Sequence, residues 1–157
     1  MKENTKLLIK SITLPLLVGA VSGFLSRNAM ADFQVLTRPP LAPPGWLFPV
    51  VWTILYILMG YSSYLIRISN VDKEQKSNAL MLYNYQLIVN FLWPIFFFNF
   101  GWYLFSLLWL VLLWFLVFLM IRSFYKISKK AAYLNIPYLI WLTFAAYLNA
   151  GIWLLNR

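Results

Sequence analysis

Apolar residues gather into five long runs along the chain, divided by short polar or basic stretches. The runs fall at about 7–27, 46–66, 79–98, 102–121 and 132–155, and each approaches the roughly 20 residues that a helix needs to cross a bilayer. The pattern predicts an all-α integral membrane protein, a bundle of five transmembrane helices forming a single domain over residues 1–157. In the second run Trp52, Tyr56, Met59 and Ser63 recur at i, i+4, i+7 and i+11, so an indole, a phenol, a thioether and a hydroxyl share one helical face. In the third run Gln86, Asn90, Trp93 and Pro94 share a face, and in the fifth Trp141, Ala145, Leu148 and Ile152 do so, with Asn149 beside them. The fourth run is aliphatic and aromatic almost throughout and reads as scaffold.

Each inward face has two readings. Trp52 and Tyr56 fit a belt of interfacial aromatics, but Trp46 already marks that boundary and Trp52 lies about one and a half turns deeper, which favours an inward indole. Asn90 fits either a tie between helices or a ligand contact, because an amide in hydrocarbon must find a partner. Ala145 and Ala146, with Ala150 and Gly151, leave room either for a ligand beside Trp141 or for close helix packing. Gly19 and Gly23 form a GxxxG pattern in the first run, a small-residue face that also arises by chance in membrane helices.

The connections differ in kind. Residues 28–45 form the one long connection, with prolines at 39, 40, 43 and 44, and they read as either a lid or an extended spacer. Within it Asp32 is placed to pair with Arg27 or Arg38, worth about 0–1 kcal/mol if exposed. Ala29-Met30-Ala31 has the small-x-small look of a signal-peptidase site. The glycine face favours retention of the first helix over its cleavage.

Composition sharpens the class. The chain is 62% hydrophobic and 11% charged, far below the roughly one quarter charged residues of soluble domains. A formal charge of +9 would point to nucleic acid in a soluble protein; here the basic residues read by loop, and no nucleic-acid partner is expected. Lys and Arg number 3, 3 and 4 at the amino terminus and in the second and fourth loops, against 2, 0 and 1 in the first and third loops and at the carboxyl terminus. That asymmetry, 10 against 3, predicts a cytoplasmic amino terminus. The absence of Cys and His removes disulfides, thiolate catalysis, zinc sites and the usual proximal haem ligand. Glu3, Asp32, Asp72 and Glu74 all fall in predicted termini or loops, so paired carboxylates within the membrane are excluded.

The order PP-x-x-PP-x-W from Pro39, VW-x-x-LY from Val51 and MGYSSY from Met59 resembles the signature of the TspO/MBR family, the tryptophan-rich sensory proteins. QLIVNFLWPIFF from Gln86 and PYLIWLTFAAYLNAGIW from Pro137 continue the resemblance in the same order. It implies a homodimeric five-helix bundle in a bacterial cell membrane, with loop 28–45 as the lid of an intramembrane pocket. Porphyrins, protoporphyrin IX among them, and benzodiazepine- or isoquinoline-carboxamide-type molecules are the implied ligands. Trp52 and Trp141 match the family's pocket tryptophans, Asn90 its third-helix asparagine, Trp93 the following aromatic and Ala145 the fifth-helix alanine. Pro43, Phe48, Tyr56, Gln86 and Leu148 complete the expected ligand-binding set. In bacterial members the tryptophans are tied to light- and oxygen-dependent breakdown of protoporphyrin IX, so Trp52 and Trp141 are the implied catalytic residues. No metal or cofactor is required, and the porphyrin is ligand or substrate. One departure concerns sterols: positions matching the tyrosine and arginine of the animal sterol motif are Ala150 and Leu154, which argues against that recognition. Three functions remain open, a tetrapyrrole-binding sensor with photo-oxidative activity, a porphyrin carrier and a structural membrane subunit. The lack of an inverted repeat weighs against the carrier.

Overall fold

The structure, a computed structural model, describes residues 2–33 and 36–157, except for the side chains of residues 31–33. In chain order it has α1 (Lys2–Phe33), α2 (Leu47–Arg67), α3 (Lys73–Pro94), a π-helical segment (Ile95–Asn99), α4 (Tyr103–Tyr125), α5 (Lys129–Tyr133) and α6 (Ile136–Asn156). No strand occurs among the described residues. Five spans are long and apolar enough to cross a membrane, the third running from α3 through the π segment and the fifth from α5 through α6.

Helix bounds depart from the apolar runs where polar residues continue a helix beyond hydrocarbon. α1 runs on to Phe33, so the loop expected at 28–45 loses its first residues to the helix. Near that end the Arg27 guanidinium donates to Phe24 O at 2.7 Å and lies 3.8 Å from the centre of the Phe24 ring, which keeps its stem on the helix surface. The pairing considered for Asp32 lies outside the described residues. At the other end of the chain the fifth span is broken at Leu134 and Asn135, where a continuous helix was expected. Pro137 explains the restart: it cannot donate to the carbonyl four residues back, and it sits in the first turn of α6, where a missing donor costs little. Asn135 spans the break, donating to Ala131 O at 3.0 Å and Ser62 Oγ at 2.8 Å. Pro94 acts similarly in α3, and beyond it the helix widens into the π segment.

The core lies between the helices, and the outer surface is aliphatic and aromatic, as lipid exposure requires. α4 is the scaffold, packed on α3, α5 and α6. Its inward stripe of Leu110, Leu113, Val117, Met120, Ile121 and Phe124 is buried at helical spacing. Trp109 and Trp114 fix its neighbours, donating to Val89 O on α3 at 2.8 Å and to Thr143 Oγ1 on α6 at 2.9 Å. α1 crosses α2 closely at Gly60, where an added Cβ would stand 2.5 Å from Ser11 O. Gly19 serves the same crossing, because a Cβ there would meet the Tyr56 ring, whereas Gly23 faces open space. Half of the GxxxG pattern is therefore used for contact within the chain.

Candidate functional site

Trp52, Tyr56, Met59 and Ser63 all turn inward on α2, with Met59 and Ser63 fully buried and Trp52 packed against the core. On α3 Gln86 and Asn90 are buried one turn apart, and on α6 Tyr138 is buried one turn before Trp141. A hydrogen-bonded chain joins the three helices. The Tyr56 hydroxyl donates to Asn90 Oδ1 at 2.8 Å, and Asn90 Nδ2 donates to the Tyr138 oxygen at 2.7 Å. The Tyr138 hydroxyl then donates to Gln86 Oε1 at 2.7 Å, and Gln86 Nε2 returns to α2 at Met59 Sδ, 3.4 Å away. Both polar ends of Asn90 are thus engaged within the protein, so in this structure the residue ties helices together. A satisfied chain of this kind rigidifies the region, since each link holds the next donor in place.

Above this floor the walls are aromatic. Trp52 stacks on Tyr56 with ring centres 5.5 Å apart and meets Tyr138 edge to face at 6.1 Å. It meets Trp141 at 6.5 Å with the planes 89° apart, and Phe48 approaches Trp141 edge to face at 5.8 Å. Such pairs add about 0.5–1.5 kcal/mol each beyond area burial. The helices that carry the two tryptophans, α2 and α6, are held apart by these rings rather than by close backbone packing. Trp141 Nε1 is buried without a hydrogen-bond partner among the described residues. Leaving a buried donor unmade costs about 1–3 kcal/mol, so the indole N–H keeps an unused capacity to donate.

The remaining expected residues are more scattered. Ala145 packs against the core one turn beyond Trp141, and Leu148 is half-buried on the following turn. Trp93 lies along α3 from Asn90 but bonds elsewhere, donating to Asn149 Oδ1 at 3.1 Å while Asn149 Nδ2 donates to Tyr103 O at 2.8 Å. Pro43 is half-buried in the loop before α2. Tyr138, which touches Asn90, Gln86 and Trp52, is a site residue that the sequence pattern does not single out. Its signal was present: it stands three residues before Trp141, on the same helical face, with a hydroxyl that hydrocarbon cannot satisfy.

The loop over residues 36–46 is fastened to α6. Asn156 Oδ1 accepts from Thr37 N at 3.1 Å while its Nδ2 donates to Thr37 O at 2.8 Å, and the Tyr147 hydroxyl donates to Pro40 O at 2.6 Å. Gly151 admits the Pro39 ring, which a Cβ would meet at 2.6 Å. Between these anchors Ala42 N donates to Pro39 O at 3.3 Å, closing a turn with Leu41 at a φ of 70°. That left-handed position favours glycine, and a leucine there costs on the order of 1–2 kcal/mol.

Five spans around an aromatic-walled, hydrogen-bonded interior define an integral membrane protein of the tryptophan-rich type. The TspO/MBR family model matches residues 11–154. A tryptophan-rich protein TspO from Chlorobaculum tepidum is 38% identical over 157 residues, 99% of each chain. The translocator protein of Sus scrofa is 37% identical over 90% of this chain and 87% of its own, and protein CrtK of Rhodobacter capsulatus is 36% identical over 88% and 85%. The chain belongs to the TspO/MBR family.

Proposed function

We propose that the protein is a membrane receptor or sensor that binds porphyrins, protoporphyrin IX among them, between α2 and α6. Benzodiazepine- and isoquinoline-carboxamide-type molecules enter the same space. Phe48, Trp52, Tyr56 and Trp141 wall it, Gln86 and Asn90 hold its floor through Tyr138, and the loop that carries Pro43 is its lid. Ala145 and Leu148 set its width along α6, and Trp93 closes the outer end. The buried Trp141 N–H, without a partner among the described residues, is the observation that carries this reading most directly. Flat, apolar walls suit a conjugated macrocycle, and a donor without a partner suits an acceptor on its edge. Family membership supports the sensor role over a structural subunit.

In light and air, a porphyrin held here passes its excitation energy to dioxygen, and the singlet dioxygen so formed is the oxidant that adds to the neighbouring indoles and to the porphyrin's own ring. Trp52 and Trp141 are the groups placed to take part, without metal or further cofactor. The protein acts as a homodimer in a bacterial cell membrane with its amino terminus in the cytoplasm.

Tryptophan-fluorescence titration of the detergent-purified protein with protoporphyrin IX tests the binding. Saturable quenching is expected, weakened roughly tenfold or more in Ala145→Leu, whose added carbons overfill the space beside Trp141. Equal affinity in a monodisperse Ala145→Leu protein would remove that alanine from the site.

A further inference from the structure

α3 and α4 pack side by side, and towards the basic end of the bundle their side chains part around a cleft of about 440 Å³. α3 contributes Gln75, Asn78 and Leu82, at i, i+3 and i+7. α4 contributes Leu119, Arg122 and Ser123, and Lys126 follows at its C-terminal cap, together at i, i+3, i+4 and i+7. The two helices are antiparallel neighbours joined by the turn at Gly101, so Gln75 and Lys126 stand at the rim. Leu82 and Leu119 lie seven residues further along their helices, about 10 Å closer to the bilayer centre. The lining therefore changes from cations, amides and a hydroxyl to aliphatic carbon over the depth that separates a headgroup from the first part of an acyl chain.

The two cations at the rim are uncommitted. Arg122 and Lys126 are exposed, and neither side chain makes a hydrogen bond, an ion pair or a ring contact with another described residue. A neighbouring cleft of about 470 Å³ is also basic, lined in part by Arg67, Lys73 and Lys76. There, however, Lys76 Nζ already donates to Arg67 O at 3.0 Å and Ser69 O at 2.9 Å, capping the end of α2.

We propose that the α3–α4 cleft is a binding site for an anionic phospholipid. The Arg122 guanidinium offers a fork of donors that matches phosphate oxygens, and Lys126 adds a second positive charge beside it. Gln75, Asn78 and Ser123 supply neutral donors to the glycerol or headgroup oxygens, while Leu82 and Leu119 receive the upper acyl chain. Basic pockets between membrane helices take lipid headgroups on this principle. The aliphatic half of the lining selects a phospholipid over a free phosphate, which would leave Leu82 and Leu119 without a counterpart.

Native mass spectrometry of the full chain in detergent, titrated with phosphatidylglycerol or with phosphatidylcholine of the same acyl chains, tests the site. Phosphatidylglycerol should be retained in preference, and Arg122→Gln/Lys126→Gln should weaken its binding roughly tenfold. Lys6→Gln/Lys10→Gln removes the same charge from the same end of the bundle and should change binding by less than about twofold. Ser123→Trp keeps both cations and fills the cleft, so it should also lose the lipid. Equal retention of the two lipids overturns the proposal, as does full affinity in Ser123→Trp or an equal loss in the Lys6/Lys10 variant. Displacement of the lipid by glycerol 1-phosphate at matched concentration would assign the cleft to small phosphates and overturn it as well.

Discussion

Asn156 and Thr37 form a reciprocal pair, the side-chain amide of one meeting both backbone groups of the other at 3.1 and 2.8 Å. The pair fixes the start of the loop before α2 to the last turn of α6. Each of its bonds contributes about 0.5–1.5 kcal/mol net. Asn156→Ala should therefore raise amide exchange across residues 38–46 roughly tenfold, with exchange in α2 and α4 unchanged. Hydrogen exchange read by mass spectrometry checks it, and an unaltered loop would show that Tyr147 and Gly151 hold it without the pair.

Tyr138 is the junction of the polar chain. Tyr138→Phe keeps the ring against Trp52 and removes the oxygen that both accepts from Asn90 and donates to Gln86. Two buried amide groups then lose a partner, at about 1–3 kcal/mol each by analogy with soluble cores and less where the helices readjust. Tyr56→Phe breaks only the bond to Asn90. Thermal unfolding in detergent should rank the variants parent, Tyr56→Phe, Tyr138→Phe, in falling stability.

Two glycines of similar sequence setting should behave oppositely. A Cβ at Gly60 would stand 2.5 Å from Ser11 O and 2.6 Å from Ile12 Cα, both backbone atoms of α1, whereas at Gly23 it would meet nothing within 4 Å. Gly60→Ala should lower the unfolding temperature and the yield of folded protein, while Gly23→Ala should match the parent or exceed it slightly, because alanine is the better helix former.

The chain has no native cysteine, so its orientation can be read from single introduced ones. The basic asymmetry expects cysteines at Lys2, Lys73 and Lys129 to be shielded from an impermeant thiol reagent added to whole cells. One at Leu41, 81% exposed in the loop before α2, should react. The reverse labelling pattern would turn the protein over in the membrane.

The spans and their inward faces were legible because lipid imposes a simple rule: apolar carbon outside, polar groups turned towards protein. Trp52, Tyr56, Gln86 and Asn90 follow it at helical spacing, and they meet in the structure. The extension of α1 was not legible, since hydropathy marks the part of a helix that lies in hydrocarbon and passes over its polar continuation. The break before α6 and the π segment after Pro94 follow from prolines, but how a chain answers a missing donor depends on its neighbours. The Thr37–Asn156 pair joins residues 119 positions apart, which no periodicity reports. Tyrosines near helix ends are common in membrane proteins, and only its partners on α3 distinguish Tyr138.

Trp52 and Trp141, whose rings meet at 6.5 Å, are proposed to take part in the chemistry of a porphyrin bound against them. The most direct test is illumination in air of the parent, Trp52→Phe and Trp141→Phe proteins with protoporphyrin IX, following loss of porphyrin absorbance and formation of a defined product. Phenylalanine keeps most of the wall and removes the indole. With binding matched by fluorescence-independent titration, product formation should fall roughly tenfold or more in each variant. Product formed at the parental rate by both variants would show that the indoles are walls only, and would contradict the account.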